Sequence, residues 1–460
     1  SLSATMRAMV AEFRVMNADD LDRQWRLYEG VTPDVVDRLI EHGHLDTVVA
    51  TARSGEWFSA AGAVKELAAR RDWKSAWEVL APFAETGWWH AIKVAADLLE
   101  RQGRVDEAIG LVRAQAEGGE RLAWSALARL LARHGRVDEA IEVLRPHLED
   151  WLLLEAVAEA TEGHGRDEEV TELLRPAVED KLRTGEPWNA VILMGRVLER
   201  QGRVDEALGL LRRSNEADQY SFANEVEEFT AMLARHDRLE ALRELAAEPD
   251  GGYAASALAD RLAQRGRIDE GIAILRGAPG KWLSKVVHDL VRLLAESGRV
   301  DEIVEAARPE MEGRDCGCLL TEVVDVLAAN GRAGEAFDLI AEMARHHERD
   351  ENLQDFLNHQ RLMLLAESGR LDEAIAEAST PAEDPYGFRA DSLARLLEKA
   401  GRADEAIAVL IESGHNPSYA AGLLIERGRV EEAVAICRRP SATPAIAPSA
   451  TDERYDECPF

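Results

Sequence analysis

The residues best suited to metal binding or catalysis form two short clusters. Cys316 and Cys318 flank a single glycine, and His346, His347 and Glu348 follow one another. A structural zinc ion needs four ligands, and no second cysteine pair accompanies the first. The sequence also contains no phosphate-binding glycine loop and no hydrolase or metalloprotease motif. We therefore predict no catalytic residue, no metal site and no cofactor, and hence a protein that is not an enzyme.

Acidic pairs are frequent, but they belong to a recurring stretch that begins with Gly-Arg and continues with Asp-Glu-Ala, as in residues 135–141. A glycine between two helix-patterned segments predicts a helix end and a tight turn, because glycine adopts positive φ without strain. The acidic pair then lies in the first turn of the next helix, near the positive end of its dipole. Gly-Arg recurs at Gly103, Gly135, Gly165, Gly202, Gly266, Gly298, Gly331, Gly369, Gly401 and Gly428.

The arginine of this stretch has no evident structural task. We expect the ten copies to form a row along one edge of the array, paired with nearby Asp or Glu. Guanidinium groups that stood unpaired in one groove would instead indicate that the stretch binds a ligand.

Each Gly-Arg stretch joins two helical segments, so the repeating unit is a helix pair. Related turns near Gly43, Asp72 and Asp237 bring the number of turns to thirteen, with a mean spacing of about 32 residues, as in two-helix repeats. No segment shows the alternation typical of strands, which predicts an all-α fold. Prolines that cannot continue a helix should follow the second helices of their pairs, at Pro82, Pro146, Pro176 and Pro309.

The charge of the chain restricts the classes of partner. The 86 acidic residues outnumber the 55 basic residues and give a net charge of −31. A nucleic acid is repelled by such a field, and we find no basic stripe to oppose it, so we predict no nucleic-acid partner. Besides conferring solubility, the charge favours a basic protein or peptide as partner. No apolar run approaches the roughly 20 residues that span a bilayer, which predicts no membrane segment.

Residue usage indicates the compartment and the source. Four cysteines in 460 residues fit a reducing cytoplasm better than a disulfide framework. Only seven of the basic residues are lysines, a bias that we attribute to GC-rich coding in a bacterium. The sequence does not indicate an oligomeric state.

The two ends of the chain depart from the repeat. Residues 6–28 have the periodicity of a helix interrupted near Asn17, and Thr32-Pro33 predicts the N-cap and first residue of another helix. We expect residues 1–42 to form an N-terminal helical cap and residues 43–439 to form the array. Residues 440–460 begin with a Pro/Ala/Ser/Thr tract, which predicts a flexible tail or, alternatively, a docking peptide.

One helix pair carries a specific pattern of large and small residues. These positions are occupied by Trp124, Leu127, Ala128, Leu131, Ala140 and Leu144. The pattern resembles a tetratricopeptide repeat, in which the small residues let two helix backbones approach closely. The resemblance extends over roughly residues 30–439. It implies a right-handed α-solenoid of about twelve to thirteen repeats that acts as a scaffold for protein or peptide binding.

In that family the first helix of each pair lines a concave groove. Lys93 is followed four residues later by Asp97 rather than by the asparagine of the family's carboxylate clamp, so a chaperone tail is not the expected ligand. Charges on this face could alternatively pair with residues four positions along the same helix. Aromatic residues at helix starts should pack between repeats. The resemblance places in the groove Arg129, Asn189, Arg196, Asn224, Tyr253, Asp260, His288 and Arg292.

The sequence leaves three functions open. The first is a non-catalytic binding scaffold or adaptor that uses the concave face. The second is the sensor or regulatory array of a bacterial signalling or nucleotide-switch system, for which the non-Met start is compatible with a piece of a larger protein. The third is a structural protein that self-assembles through its end repeats or its tail.

Overall fold

A computed structural model of the chain describes residues 17–184, 190–217, 223–278, 283–313, 317–380 and 387–439. Within these ranges it contains 27 α-helices and no β-strand, which confirms the all-α prediction. Cys316, the Tyr455 and Phe460 of the tail, and the predicted helix before Asn17 lie outside the described residues. In chain order the helices are α1 Ala18–Leu27, α2 Pro33–Glu41, α3 Leu45–Arg53, α4 Trp57–Ala69, α5 Trp73–Ala84, α6 Trp89–Arg101, α7 Val105–Glu117, α8 Arg121–Arg133, α9 Val137–Leu144, α10 Trp151–Ala160, α11 Asp167–Thr184, α12 Ala190–Arg200, α13 Val204–Ala217, α14 Ala223–Arg235, α15 Leu239–Ala246, α16 Gly252–Gln264, α17 Ile268–Gly277, α18 Leu283–Glu296, α19 Ile303–Met311, α20 Gly317–Ala329, α21 Ala333–His346, α22 Glu351–Glu367, α23 Leu371–Ala378, α24 Phe388–Lys399, α25 Ala403–Ser413, α26 Pro417–Glu426 and α27 Val430–Cys437.

The described helices form thirteen consecutive pairs, from α2–α3 to α26–α27, preceded by α1. We call the even-numbered member of each pair its first helix. The chain is an all-α repeat solenoid that divides into two compact units. The described residues of 17–123 and 365–439 form the first, which we call the terminal unit, and those of 124–364 form the second, which we call the central unit.

The turns within the pairs have the conformation that the sequence predicts. Gly135 has φ 74°, and the next amide, that of Arg136, donates to the carbonyl of Leu131 at 2.9 Å. This bond closes the helix end with a backbone group that would otherwise lack a partner. Where the glycine is missing, Arg71 with φ 58° and Asp237 with φ 55° adopt the same left-handed conformation.

Every arginine of the Gly-Arg turns is paired with the glutamate three residues later. In Arg136, Nε and Nη2 donate to Glu139 at 2.9 and 2.6 Å. The expected pairing is confirmed, and the structure gives no support for a ligand-binding role of this stretch. The ten pairs are Arg104–Glu107, Arg136–Glu139, Arg166–Glu169, Arg203–Glu206, Arg267–Glu270, Arg299–Glu302, Arg332–Glu335, Arg370–Glu373, Arg402–Glu405 and Arg429–Glu432.

Several turn arginines also reach the aspartate of the preceding turn. Arg332 lies 2.7 Å from Asp301, and Arg299 lies 3.2 Å from Asp269. These aspartate side chains are more than four-fifths exposed. Each contact therefore contributes at most about 1 kcal/mol, but together they connect consecutive pairs along one edge.

The prediction that prolines follow the second helices is wrong at three positions. Pro82, Pro176 and Pro309 lie inside α5, α11 and α19. Only Pro146 follows its helix, in the 3-10 turn after α9. A proline within a helix removes one backbone hydrogen bond. Tertiary packing of the apolar face can outweigh that loss, since it supplies most of the stability of a helix.

At the start of the terminal unit, Asn17 rather than Thr32 acts as a side-chain cap. Asn17 Oδ1 accepts from the amide of Asp20 at 2.8 Å and begins α1. Pro33 is the first residue of α2, as predicted, but the Thr32 side chain makes no cap hydrogen bond. Its hydroxyl lies 2.9 Å from that of Ser418 instead.

Aromatic residues pack between the first helices of the terminal unit, as expected. Trp57 is 1% exposed and Trp88 is 7% exposed, and their rings meet edge-on at 4.9 Å. The His90 ring lies between those of Trp88 and Trp25, with centroid distances of 4.7 and 4.3 Å. These contacts join α1, α4 and α6 into one aromatic cluster.

Candidate functional site

A groove of about 520 Å³ runs between the first helices α10, α12 and α14 of the central unit. We call it the acidic groove. One wall is formed by Glu155 and Glu159 of α10, which lie four residues apart on one helix face, and by Glu162, which follows the end of that helix. The base includes Ala158, Leu193 and Val197, and the remaining lining residues are Arg196, Glu199, Arg200, Glu228 and Arg235. The groove thus combines an apolar base with five carboxylates and three guanidinium groups.

Arginine side chains hold two of these carboxylates ionised. Arg235 donates to Glu199 at 3.0 and 2.8 Å, and its hydrogen bonds lower the pKa of that carboxyl despite partial burial. Burial opposes the ionisation of Glu228, but hydrogen bonds from Arg235 and Arg196 outweigh it and also lower its pKa. In contrast, Glu162 is exposed and has no ion-pair partner among the described residues. The groove therefore keeps negative charge at its rim that the protein itself leaves uncompensated.

A second groove, of about 310 Å³, lies between the first helices α14, α16 and α18. Tyr253 contributes its ring, and burial together with the charge of Glu227 raises the pKa of its phenol. Ser256 is 1% exposed, and its hydroxyl has no hydrogen-bond partner among the described residues. Glu227 and Lys285 bring opposite charges to the lining. This groove offers polar groups of both kinds and less space than the acidic groove.

Arg235 lines both grooves and is anchored in place. Besides Glu199, it donates to Glu228 at 2.8 Å. These hydrogen bonds outweigh partial burial and raise the pKa of the guanidinium further above its ordinary value. Two carboxylates hold Arg235 where the two grooves meet. The grooves are therefore neighbouring parts of one surface made by α10, α12, α14, α16 and α18.

The predicted groove residues that the structure describes lie on first helices from α8 to α18, and several of them form ion pairs with neighbouring first helices. Arg129 lies 2.9 Å from Glu159, and Arg196 lies 2.8 Å from Glu228. The partner is on the next first helix, about one repeat away, since first helices of consecutive repeats lie side by side. Pairing along the same helix, the alternative that the sequence left open, occurs for Arg292 and Glu296, while Arg129 and Arg196 pair between helices.

The remaining predicted residues differ in their surroundings. Arg292 pairs with Asp260 of the preceding first helix, and His288 Nδ1 lies 3.0 Å from Glu322. Asn224 is exposed, and Asn189 lies outside the described residues. Of the seven predicted residues within the described ranges, Arg196, Tyr253 and Asp260 line one of the two grooves and the other four do not.

Sequence analysis missed Glu162, Glu199, Arg235 and Ser256. Three of them stand in the last turn of a first helix or just after it, one turn beyond the positions that the family resemblance supplies. The spacing Glu155, Glu159, Glu162 was a usable signal, because a row of carboxylates on one helix face is unusual unless it has partners. The Ser256 hydroxyl has no such signal, since a serine in a helix ordinarily bonds its own backbone.

Three segments of the sequence match families of helical repeats. Residues 188–213 and 252–276 match the tetratricopeptide repeat. Residues 122–145 match the PPR repeat, although this is the pair whose large and small residues we compared with a tetratricopeptide repeat. Among curated proteins, none matches the sequence significantly.

Solved structures with similar successions of helices have low sequence identity. The structure of Naa15/Naa10 bound to HypK-THB is 12% identical, with a TM-score of 0.39, covering 94% of this chain and 74% of that one. The maize pentatricopeptide repeat protein PPR10 is 15% identical, with a TM-score of 0.31, covering 95% and 72%. The APC/C hetero-tetramer Cut9–Hcn1 is 12% identical, with a TM-score of 0.25, covering 82% and 93%. At these TM-scores the likeness carries no inference about partners.

Proposed function

We propose that this helical-repeat chain, parts of which match the tetratricopeptide repeat, binds a protein or peptide segment along the first helices of its central unit. Helical repeats of this kind are generally binding scaffolds. The observation that carries the proposal is the pair of adjoining grooves on α10 to α18. Their linings combine apolar, charged and uncharged polar side chains over several repeats, which is the combination that a binding site needs.

The acidic groove indicates the chemistry of the partner. Five carboxylates against three guanidinium groups leave it negative, in a chain whose net charge is −31. A segment that carries lysine or arginine would be steered to this surface and could insert its aliphatic stems over Leu193 and Val197. We therefore propose a basic peptide segment rather than an acidic tail or a nucleic acid.

The cytoplasmic location and bacterial source stay predictions. Within the described ranges, no helix has the length and apolar character needed to cross a membrane.

The experiment measures binding of short peptides of both charge signs, and of single-stranded RNA, to the full chain. We expect basic peptides to bind and the affinity to fall as salt rises. The variant E155Q/E159Q/E162Q should weaken binding at least about tenfold, since loss of several charge contacts is worth more than 1.4 kcal/mol.

The matched control removes three charges from the second helix of the same pair, in E168Q/E172Q/E179Q. All three of these glutamates are exposed, and none lines a groove. If both triple variants weakened peptide binding equally, the effect would come from the overall charge of the chain, and the proposed site would be contradicted. Binding of RNA with no binding of peptides would contradict the proposed partner.

A further inference from the structure

The first and last helix pairs of the chain contact each other within the terminal unit. The hydroxyls of Thr32, before α2, and Ser418, in α26, are 2.9 Å apart. Arg38 of α2 donates to Glu426 of α26 at 3.0 Å. These residues are 386 and 388 positions apart, so the contact joins opposite ends of the sequence.

A glycine in α26 lies against the Arg38 side chain. A Cβ atom on Gly422 would lie 2.5 Å from Nη1 of Arg38 and 3.0 Å from its Cζ. Gly422 has no positive φ that would require glycine, so its role is to make room. The Arg38 side chain thus passes over Gly422 and reaches Glu426, one helical turn further along the same face.

A second contact joins the end of α27 to the loop that precedes α4. Arg438 Nε donates to Glu56 at 2.6 Å, and its Nη2 donates to the Ser54 hydroxyl at 2.8 Å. Glu56 Oε2 in turn accepts from the amide of Val31 at 2.9 Å, just before α2. One carboxylate therefore fixes both the start of α2 and the last described turn of the chain. We call the contacts of α2 and Glu56 with α26 and Arg438 the terminal junction.

The terminal junction includes polar contacts and a close approach at a glycine. Repeat arrays need end repeats whose outer faces tolerate water, and here α2 and α26 each cover the other. Arg38 and Glu426 remain nearly half exposed, so their attraction is weak and screened by salt.

We propose that the terminal junction is a reversible latch, and that when it opens its halves bind the matching halves of a second copy of this chain. A contact between two ends of one molecule uses surfaces that are equally complementary between two molecules, which is the basis of domain swapping. The equilibrium between closed monomers and exchanged dimers depends on the protein concentration relative to the effective concentration of the two halves within one chain. Closed monomers dominate in dilute solution, and exchanged dimers accumulate at high protein concentration.

The test uses disulfide trapping in the full chain, with Cys316, Cys318, Cys437 and Cys458 replaced by alanine. The double variant T32C/S418C should form an intramolecular disulfide in dilute solution. Chains carrying only T32C, mixed at high concentration with chains carrying only S418C, should form a disulfide-linked heterodimer, and its yield should rise with protein concentration. The matched control pairs T32C with T380C, an exposed position that no junction contact includes.

A second measurement does not depend on disulfide geometry. We expect G422L to raise amide exchange in residues 33–41 at least about tenfold and to abolish the heterodimer. G110L introduces the same side chain at a helical glycine with open space and should do neither. Unchanged exchange in G422L would overturn the latch. A heterodimer yield no greater than that of the T32C/T380C control would overturn the exchange between copies.

Discussion

Val36 lies directly over Gly62: a Cβ atom on Gly62 would come within 2.3 Å of its Cγ1. Gly62 is inside α4 and has no positive φ, so packing rather than backbone conformation requires the glycine. With Gly422 on α26, it is one of two helical glycines against which α2 is fitted. Gly110 of α7 provides the contrast, because nothing lies within 4 Å of a Cβ placed there.

We predict that Gly62→Ala destabilises the terminal unit by roughly 1–3 kcal/mol, the usual effect of overpacking. Gly110→Ala should instead stabilise it by about 0.5–1 kcal/mol, since alanine is the better helix former. Urea unfolding of both variants checks the pair. A stabilising Gly62→Ala would show that α2 and α4 do not approach so closely.

Arg71 occupies a turn where other pairs have glycine. Its φ of 58° is unfavourable for a residue with a side chain, by roughly 1 kcal/mol. Relief of this strain in Arg71→Gly should increase the free energy of unfolding. The increase should be only about 0.5 kcal/mol, because the greater freedom of glycine in the unfolded chain offsets part of it. Gly135→Val makes the opposite change at φ 74° and should destabilise by about 1 kcal/mol or more. Thermal unfolding that ranks these variants in the reverse order would contradict the turn assignment.

His90 makes the aromatic cluster sensitive to acid. Burial and the nearby charge of Lys93 lower its pKa to about 4, with Asp22 acting in the opposite direction. The unfolded chain binds the proton near pH 6.5. The contribution of neutral His90 is therefore complete above pH 6.5 and is lost as pH falls toward 4, up to about 3 kcal/mol.

His90→Phe should remove this dependence while keeping a ring between Trp25 and Trp88. Amide exchange of α1, α4 and α6 between pH 7 and 4 measures it. His134→Phe serves as the control, because His134 is exposed and outside the cluster. If the His90 variant loses protection with the same pH profile as the native chain, then His90 is not its cause.

The pKa of Glu302 tests the ion pairs made by the turn arginines. Hydrogen bonds from Arg299 and Arg276 lower its pKa to about 2. Its contribution to stability is present above the unfolded value of about 4.3 and is lost as pH falls toward 2. NMR titration of the side-chain carboxyl should give a midpoint far below that of an ordinary glutamate. Arg299→Gln should move the midpoint upward, and Glu305→Gln, an exposed change three residues later in α19, should leave it in place.

The turns and their ion pairs could be predicted from the sequence because each depends on only a few neighbouring residues. Gly135, Arg136 and Glu139 specify a turn, a capped helix end and an ion pair within one short stretch, so ten copies predicted ten similar structures. The position of a proline was less informative, because Pro176 depends on the packing of α11 as a whole. Neighbouring residues did not indicate the buried polar groups either. Lys181 and Glu225 form a 3.3 Å ion pair, with side chains 2% and 5% exposed. They belong to different repeats, so no short stretch of sequence contains both.

By itself, the sequence determined the all-α class, the helix-pair repeat, the turns and their ion pairs, since each follows from neighbouring residues. The tertiary structure decided which side chains share a surface. It paired Arg129 with Glu159 and Arg196 with Glu228 across neighbouring first helices, and it brought Arg235 between two grooves. It also placed Gly422 against Arg38 from the opposite end of the chain. Such relationships depend on how successive helices stack, and stacking arises from many weak contacts that no short stretch of sequence contains.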